Sequence, residues 1–152
     1  MRTQINLTIM GSQNSNKSVI LQDFVQKYNL NGEPIQQFNI LKIIKDIPIM
    51  FKINYIETNF EHVDTFKTVM SESNVVIICF DSSQQETVDK VQYYIPLLRM
   101  TKQQILIVDT SSSFQQQNVQ LVLYVKELLE EFQIQTIEKQ NIVEKIVEYN
   151  MK

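Results

Sequence analysis

One stretch constrains this chain more than any other: residues 4–28, QINLTIMGSQNSNKSVILQDFVQKY. The apolar run Ile5 to Met10 stops at Gly11, and a polar loop follows. Lys17-Ser18 close the loop. Val19-Ile20-Leu21 come next, with Phe24, Val25 and Tyr28 at helical spacing. A short apolar run reads as a buried strand and the 3.6-residue spacing as a helix, so the order is strand, loop, helix. In an α/β sheet, ligands bind beyond the carboxyl ends of the strands, and the Gly11 loop lies at such an end.

The loop, GSQNSNKS, resembles a phosphate-binding loop, whose pattern is Gly, four residues, Gly-Lys-Ser/Thr. Gly11, Lys17 and Ser18 keep their places, and Asn16 stands where the second Gly belongs. Such loops work by aiming backbone N–H groups and a helix N-terminus at phosphate. Asn tolerates unusual backbone angles better than most residues, but it brings a side chain into that space. The loop therefore reads as a vestigial phosphate loop built from Gly11, Asn16, Lys17 and Ser18.

The chain has 152 residues, which suits one domain, 1–152, with a real core. A net charge of −3 gives no basic footprint, so nucleic acid is not an expected partner. Cys79 is the single cysteine, so an internal disulfide is excluded and a reducing, cytoplasmic compartment is expected. It falls inside the apolar run Val75 to Phe80, which points to a buried, inert thiol. No apolar run approaches the ~18 residues that span a bilayer, and no direct membrane anchor is expected. There are only two glycines, Gly11 and Gly32. The richness in Gln, Asn, Ile and Lys fits an AT-rich genome, and the Gln excess fits a code that reads stop codons as Gln, as in a ciliate-like protist.

Further along, two strands, about Gln37 to Ile44 and Ile49 to Ile56, flank a tight turn at Lys45-Asp46-Ile47-Pro48, which predicts an antiparallel hairpin. A short helix is expected within Thr58 to Ser73. Asn74 to Phe80, NVVIICF, reads as a buried central strand. Asp81-Ser82-Ser83 is a helix start signal for Gln84 to Met100, with Pro96 kinking or ending that helix. Gln104 to Val108 is a buried strand, Asp109 to Ser113 a loop, and Asn118 to Phe132 an amphipathic helix. Ile134 to Ile137 is a short strand and Asn141 to Tyr149 a final helix. The expected fold is α/β: a six-stranded, mostly parallel sheet with one antiparallel hairpin and helices on both faces.

This order, with the loop GSQNSNKS at its head, resembles the Ras-like small GTPases, P-loop proteins, over essentially the whole chain. The resemblance implies five nucleotide-binding motifs, and each is altered. Ile35 follows Glu33-Pro34 where the family has a magnesium-holding Thr. Glu57, Phe60 and Glu61 stand for the Asp, Gly and Gln of the second switch. A carboxylate at Glu61 repels phosphate instead of orienting water. His62 beside it reads as solvated surface. Asp109-Thr110-Ser111-Ser112 replaces the guanine-reading Asn-Lys-x-Asp, and Ser112 lacks the paired acceptors for the base edge. Thr136 to Gln140 offers no counterpart of the last motif.

The resemblance therefore implies a catalytically inactive pseudo-GTPase, with no cofactor expected. It would bind protein subunits of a larger assembly, cytoskeletal, ciliary or organellar. The alternative is a divergent nucleotide-binding protein or weak NTPase, holding GTP or GDP with magnesium through Lys17, Ser18 and Glu57.

Overall fold

A computed structural model describes residues 3–12, 14–30, 35–56, 68, 71–81, 83–87, 89–91, 104–110, 135–138 and 142–150. The strands are β1 (Thr3–Gly11), β2 (Ile35–Ile44), β3 (Ile47–Ile56), β4 (Val75–Phe80), β5 (Gln104–Asp109) and β6 (Gln135–Glu138). Two helices, α1 (Ser18–Phe24) and α2 (Ile142–Asn150), belong to the same set. The sheet order is β2-β3-β1-β4-β5-β6. Among the described residues only the β2–β3 pair is antiparallel. The chain is thus α/β with a mostly parallel sheet, as its alternating pattern predicts.

The sheet is built on β1, which pairs in parallel with β3 on one side and β4 on the other. Its alternate residues Ile5, Leu7 and Ile9 point to one core, with Phe51, Ile53 and Tyr55 of β3 and Ile77 and Cys79 of β4. Ile20, Leu21 and Phe24 of α1 and Ile142, Ile146 and Val147 of α2 close that core. Phe24 meets Phe51 edge-on, ring centroids 5.3 Å apart. Both helices therefore cover the same face of the sheet. Every residue of β4 is buried, which covers both faces at the sheet's centre. A strand of six apolar residues without polar alternation is what two-sided burial requires.

Several expected boundaries move. The helix after Ser18 does not reach Tyr28: it ends at Phe24, and Val25 is extended at φ −124°, ψ 112°. Tyr28 instead reaches back, its hydroxyl donating to the Ser18 carbonyl at 3.2 Å. Apolar spacing alone could not separate these arrangements, because both place Tyr28 on the core side. The hairpin turn is only Lys45-Asp46, not Lys45 to Pro48; both residues have positive φ, 51° and 66°. That is the left-handed pair of a two-residue hairpin turn, and Ile47 and Pro48 join β3. Asp109 is the last residue of β5 and not the first of a loop.

The expected helices at 58–73, 84–100 and 118–132 fall mainly outside the described residues, apart from helical positions at 68, 71, 85–87 and 89–91. Glu33, Pro34, Glu57, Phe60, Glu61, His62, Ser111 and Ser112 lie outside them as well. Among the described residues, no helix is long and apolar enough to cross a membrane.

Candidate functional site

The loop after β1 sits where the strand order brings the carboxyl ends of β1, β3, β4 and β5 together. Gly11 ends β1 beside Cys79 of β4. A Cβ on Gly11 would lie 2.5 Å from Ser15 Oγ and 2.8 Å from the Cys79 carbonyl oxygen. Glycine is required here by close approach, since the loop folds back over its own first residue.

That folding back is held by hydrogen bonds. The Ser15 N–H donates to the Ser12 carbonyl at 3.1 Å, and Ser15 Oγ donates to the same oxygen at 2.6 Å. Ser15 is fully buried. Its own carbonyl accepts from the hydroxyl of Thr110, the residue after β5. Thr110 is also fixed to β4, its N–H donating to the Phe80 carbonyl at 2.8 Å and its hydroxyl at 3.1 Å. Ser12 Oγ is buried in the same place without a hydrogen-bond partner.

Asn16 adopts φ 55°, the left-handed conformation expected of a residue standing for Gly. Its side chain leaves the loop interior, Nδ2 donating to Asp81 Oδ2 at 3.0 Å. Asp81 is itself buried and organised. Its Oδ1 accepts from the Ser83 N–H at 2.9 Å and the Ser83 hydroxyl at 2.5 Å. Its N–H donates to Thr87 Oγ1 at 2.9 Å, and its carbonyl accepts from Gln84 N–H at 2.8 Å. Asp81 thus closes a turn just ahead of the helical positions 85–87, and its carboxylate also binds the loop. Asn14, beside them, donates to Glu86.

Lys17 is only 5% exposed. Its Nζ lies 5.6 Å from the centroid of the Tyr55 ring, a cation–π distance. Burial pushes the Cys79 thiol up to about 12, and the positive charge of Lys17 partly opposes that rise. The thiol is fully buried and protonated at neutral pH, as its apolar run predicts. Ser18, half-buried, opens α1 directly after Lys17.

The structure thus brings together the sequence-predicted residues Gly11, Asn16, Lys17 and Ser18. To them it adds Ser15, Tyr55, Asp81 and Thr110. Asp109 and Thr110 stood at the place of the base-reading motif, and Thr110 turns its hydroxyl to the loop. Asp81 and Ser15 were missed as members of the site. Nothing in local spacing ties residue 81 to residue 16; the strand order does.

A bound phosphate needs loop N–H groups aimed at it and positive charge around it. Here the Ser15 N–H is engaged within the loop, the Asn16 side-chain amide is engaged with Asp81, and a carboxylate stands against the loop. α1 has seven residues, too short to lend much dipole to an anion. Lys17 and Ser18 keep the order that phosphate and magnesium would need. Beside them stand a carboxylate, Asp81, and an engaged N–H, that of Ser15.

No protein-family model matches the chain. No curated protein matches it.

Proposed function

We propose that this chain is a catalytically inactive small-GTPase-like domain that works by binding protein partners as a subunit or scaffold of a larger assembly. The observation that carries this reading is the loop's self-containment. Asn16 pairs with Asp81, Ser15 with Ser12 through both its N–H and its hydroxyl, and Thr110 with Ser15, so the loop's polar groups are spent on one another. A strand–loop–helix unit tied in this way supplies rigidity without turnover. The partner surface in this reading is β2 and β3 with the segment 60–70. A cytoplasmic, cytoskeletal or ciliary setting is the accompanying proposal.

A second reading has one observation in its favour. Lys17-Ser18 sit at the junction of loop and helix, the order a phosphate and magnesium site uses. GTP or GDP with magnesium would then be held by Lys17 and Ser18, with Glu57 as a further metal ligand.

Calorimetric titration with GTP, GDP and ATP, each with magnesium, separates the two. The first reading expects no heat above dilution and the same result for Lys17→Met. Saturable, magnesium-dependent binding that Lys17→Met abolishes would replace it with the second.

A further inference from the structure

Among the described residues β2 is an edge strand, next to β3 on one side only. It pairs one-to-one with β3 from Ile35 to Ile44, with no bulge and no proline within it. Natural edges are normally blunted by such devices or by charge, because an open ladder accepts another strand. β2 carries one charge, Lys42, and it faces α1, its Nζ donating to the Asp23 carbonyl at 2.6 Å. The opposite side of β2 shows Gln37, Asn39, Leu41 and Ile43, with Leu41 52% and Ile43 73% exposed.

The turn decides which backbone groups are open. A two-residue turn closes Ile44 and Ile47 as a hydrogen-bonded pair, and bonding alternates from there. Gln36, Phe38, Ile40, Lys42 and Ile44 therefore point their N–H and C=O groups at β3. Gln37, Asn39, Leu41 and Ile43 point theirs outward. The outward backbone and the exposed side chains belong to the same residues.

We infer that β2 is the joint of a symmetric dimer, pairing antiparallel with β2 of a second copy about a two-fold axis at Ile40. In this register Leu41 exchanges hydrogen bonds with Asn39 of the second copy, and Ile43 with its Gln37. All outward groups from 37 to 43 are then paired. On the α1 side, Lys42 faces Phe38 of the second copy, whose ring is half-buried and packed edge-on to Tyr28 at 6.0 Å. The Lys42 ammonium stays on the Asp23 carbonyl and over the Phe24 ring, 5.9 Å from its centroid, so what meets Phe38 is the long apolar stem of the lysine. Sliding the axis to Lys42 would instead oppose the two lysines, so charge selects among the registers. The strand is thus complementary to itself, and a closed two-fold contact results. The inference rests on the partner-binding reading only for its location, and nucleotide titration tests that reading separately.

One strand pair is a small joint, at or below the ~1,200 Å² of stable interfaces, so the dimer should depend on concentration. Sedimentation velocity of the full chain from about 5 to about 500 µM tests it, a range that spans weak association. The expected result is a shift from monomer to dimer across that range. Leu41→Pro removes an outward N–H that takes no part in the β2–β3 ladder, so it should abolish the shift while retaining the far-ultraviolet dichroism of wild type. Ile40→Cys places like residues at a non-hydrogen-bonded pair and should yield a disulfide-linked dimer on oxidation. A wild type that stays monomeric throughout overturns the inference and leaves the edge to a different protein. A folded Leu41→Pro that still dimerises overturns it too.

Discussion

Asn16 and Asp81 are joined at 3.0 Å across 65 positions of sequence, and this bond ties the loop after β1 to the end of β4. The bond and the left-handed backbone at Asn16 act on stability in opposite senses. Asn16→Ala loses the bond and keeps the strain, so unfolding in urea should show a loss of about 1–3 kcal/mol. Asn16→Gly loses the bond but relieves the strain, and should cost less than about 1 kcal/mol. In an Asp81→Ala background the gap between Ala and Gly at position 16 should persist, because it reflects backbone alone.

Gly11→Ala puts a methyl against both Ser15 Oγ and the Cys79 carbonyl. The first obstacle can be removed and the second cannot, since it is backbone of a buried strand. Gly11→Ala should destabilise by about 1–3 kcal/mol, and Ser15→Gly added to it should recover only part. Full recovery in denaturant titrations would show that β4 yields.

Cys79 gives a pH dependence of defined sign. Its folded value, about 12, lies above the ordinary 9.0, so between these values the folded chain holds the thiol proton that the unfolded chain gives up. Stability from this group is complete below pH 9.0 and falls as pH rises toward 12, by about 4 kcal/mol at most. Unfolding midpoints across that range should fall more steeply for wild type than for Cys79→Ala. At pH 8, a thiol reagent should label wild type only through unfolding.

Much of this was legible in the chain. β4 announces itself because two-sided burial admits only apolar residues, and the Gly11 loop because only glycine fits where the backbone returns on itself. Gly11, Asn16, Lys17 and Ser18 fall together in one loop because strand, loop and helix are local. The hairpin turn is shorter than its polar stretch suggests, because Lys45 and Asp46 take positive φ without a Gly or Asn to signal it. The helix end at Phe24 has no capping residue to mark it. Asp81, Ser15 and Thr110 became part of the site only through the order of the strands, which no local pattern encodes.

The placement of β1 also has a kinetic consequence. β2 and β3 can pair through their two-residue turn alone, whereas β1 must wait for distant chain: Thr3 meets Ile49, and Leu7 meets Val75. Hairpins close in about 1–10 µs, and contacts between remote segments are slower because loop closure precedes their reward. The hairpin is then the template on which the first strand of the sequence docks, making the chain's start a late arrival in its own centre. Replacing Lys45-Asp46 by Asn-Gly, which favours the same turn, should speed refolding in stopped-flow measurements more than it slows unfolding.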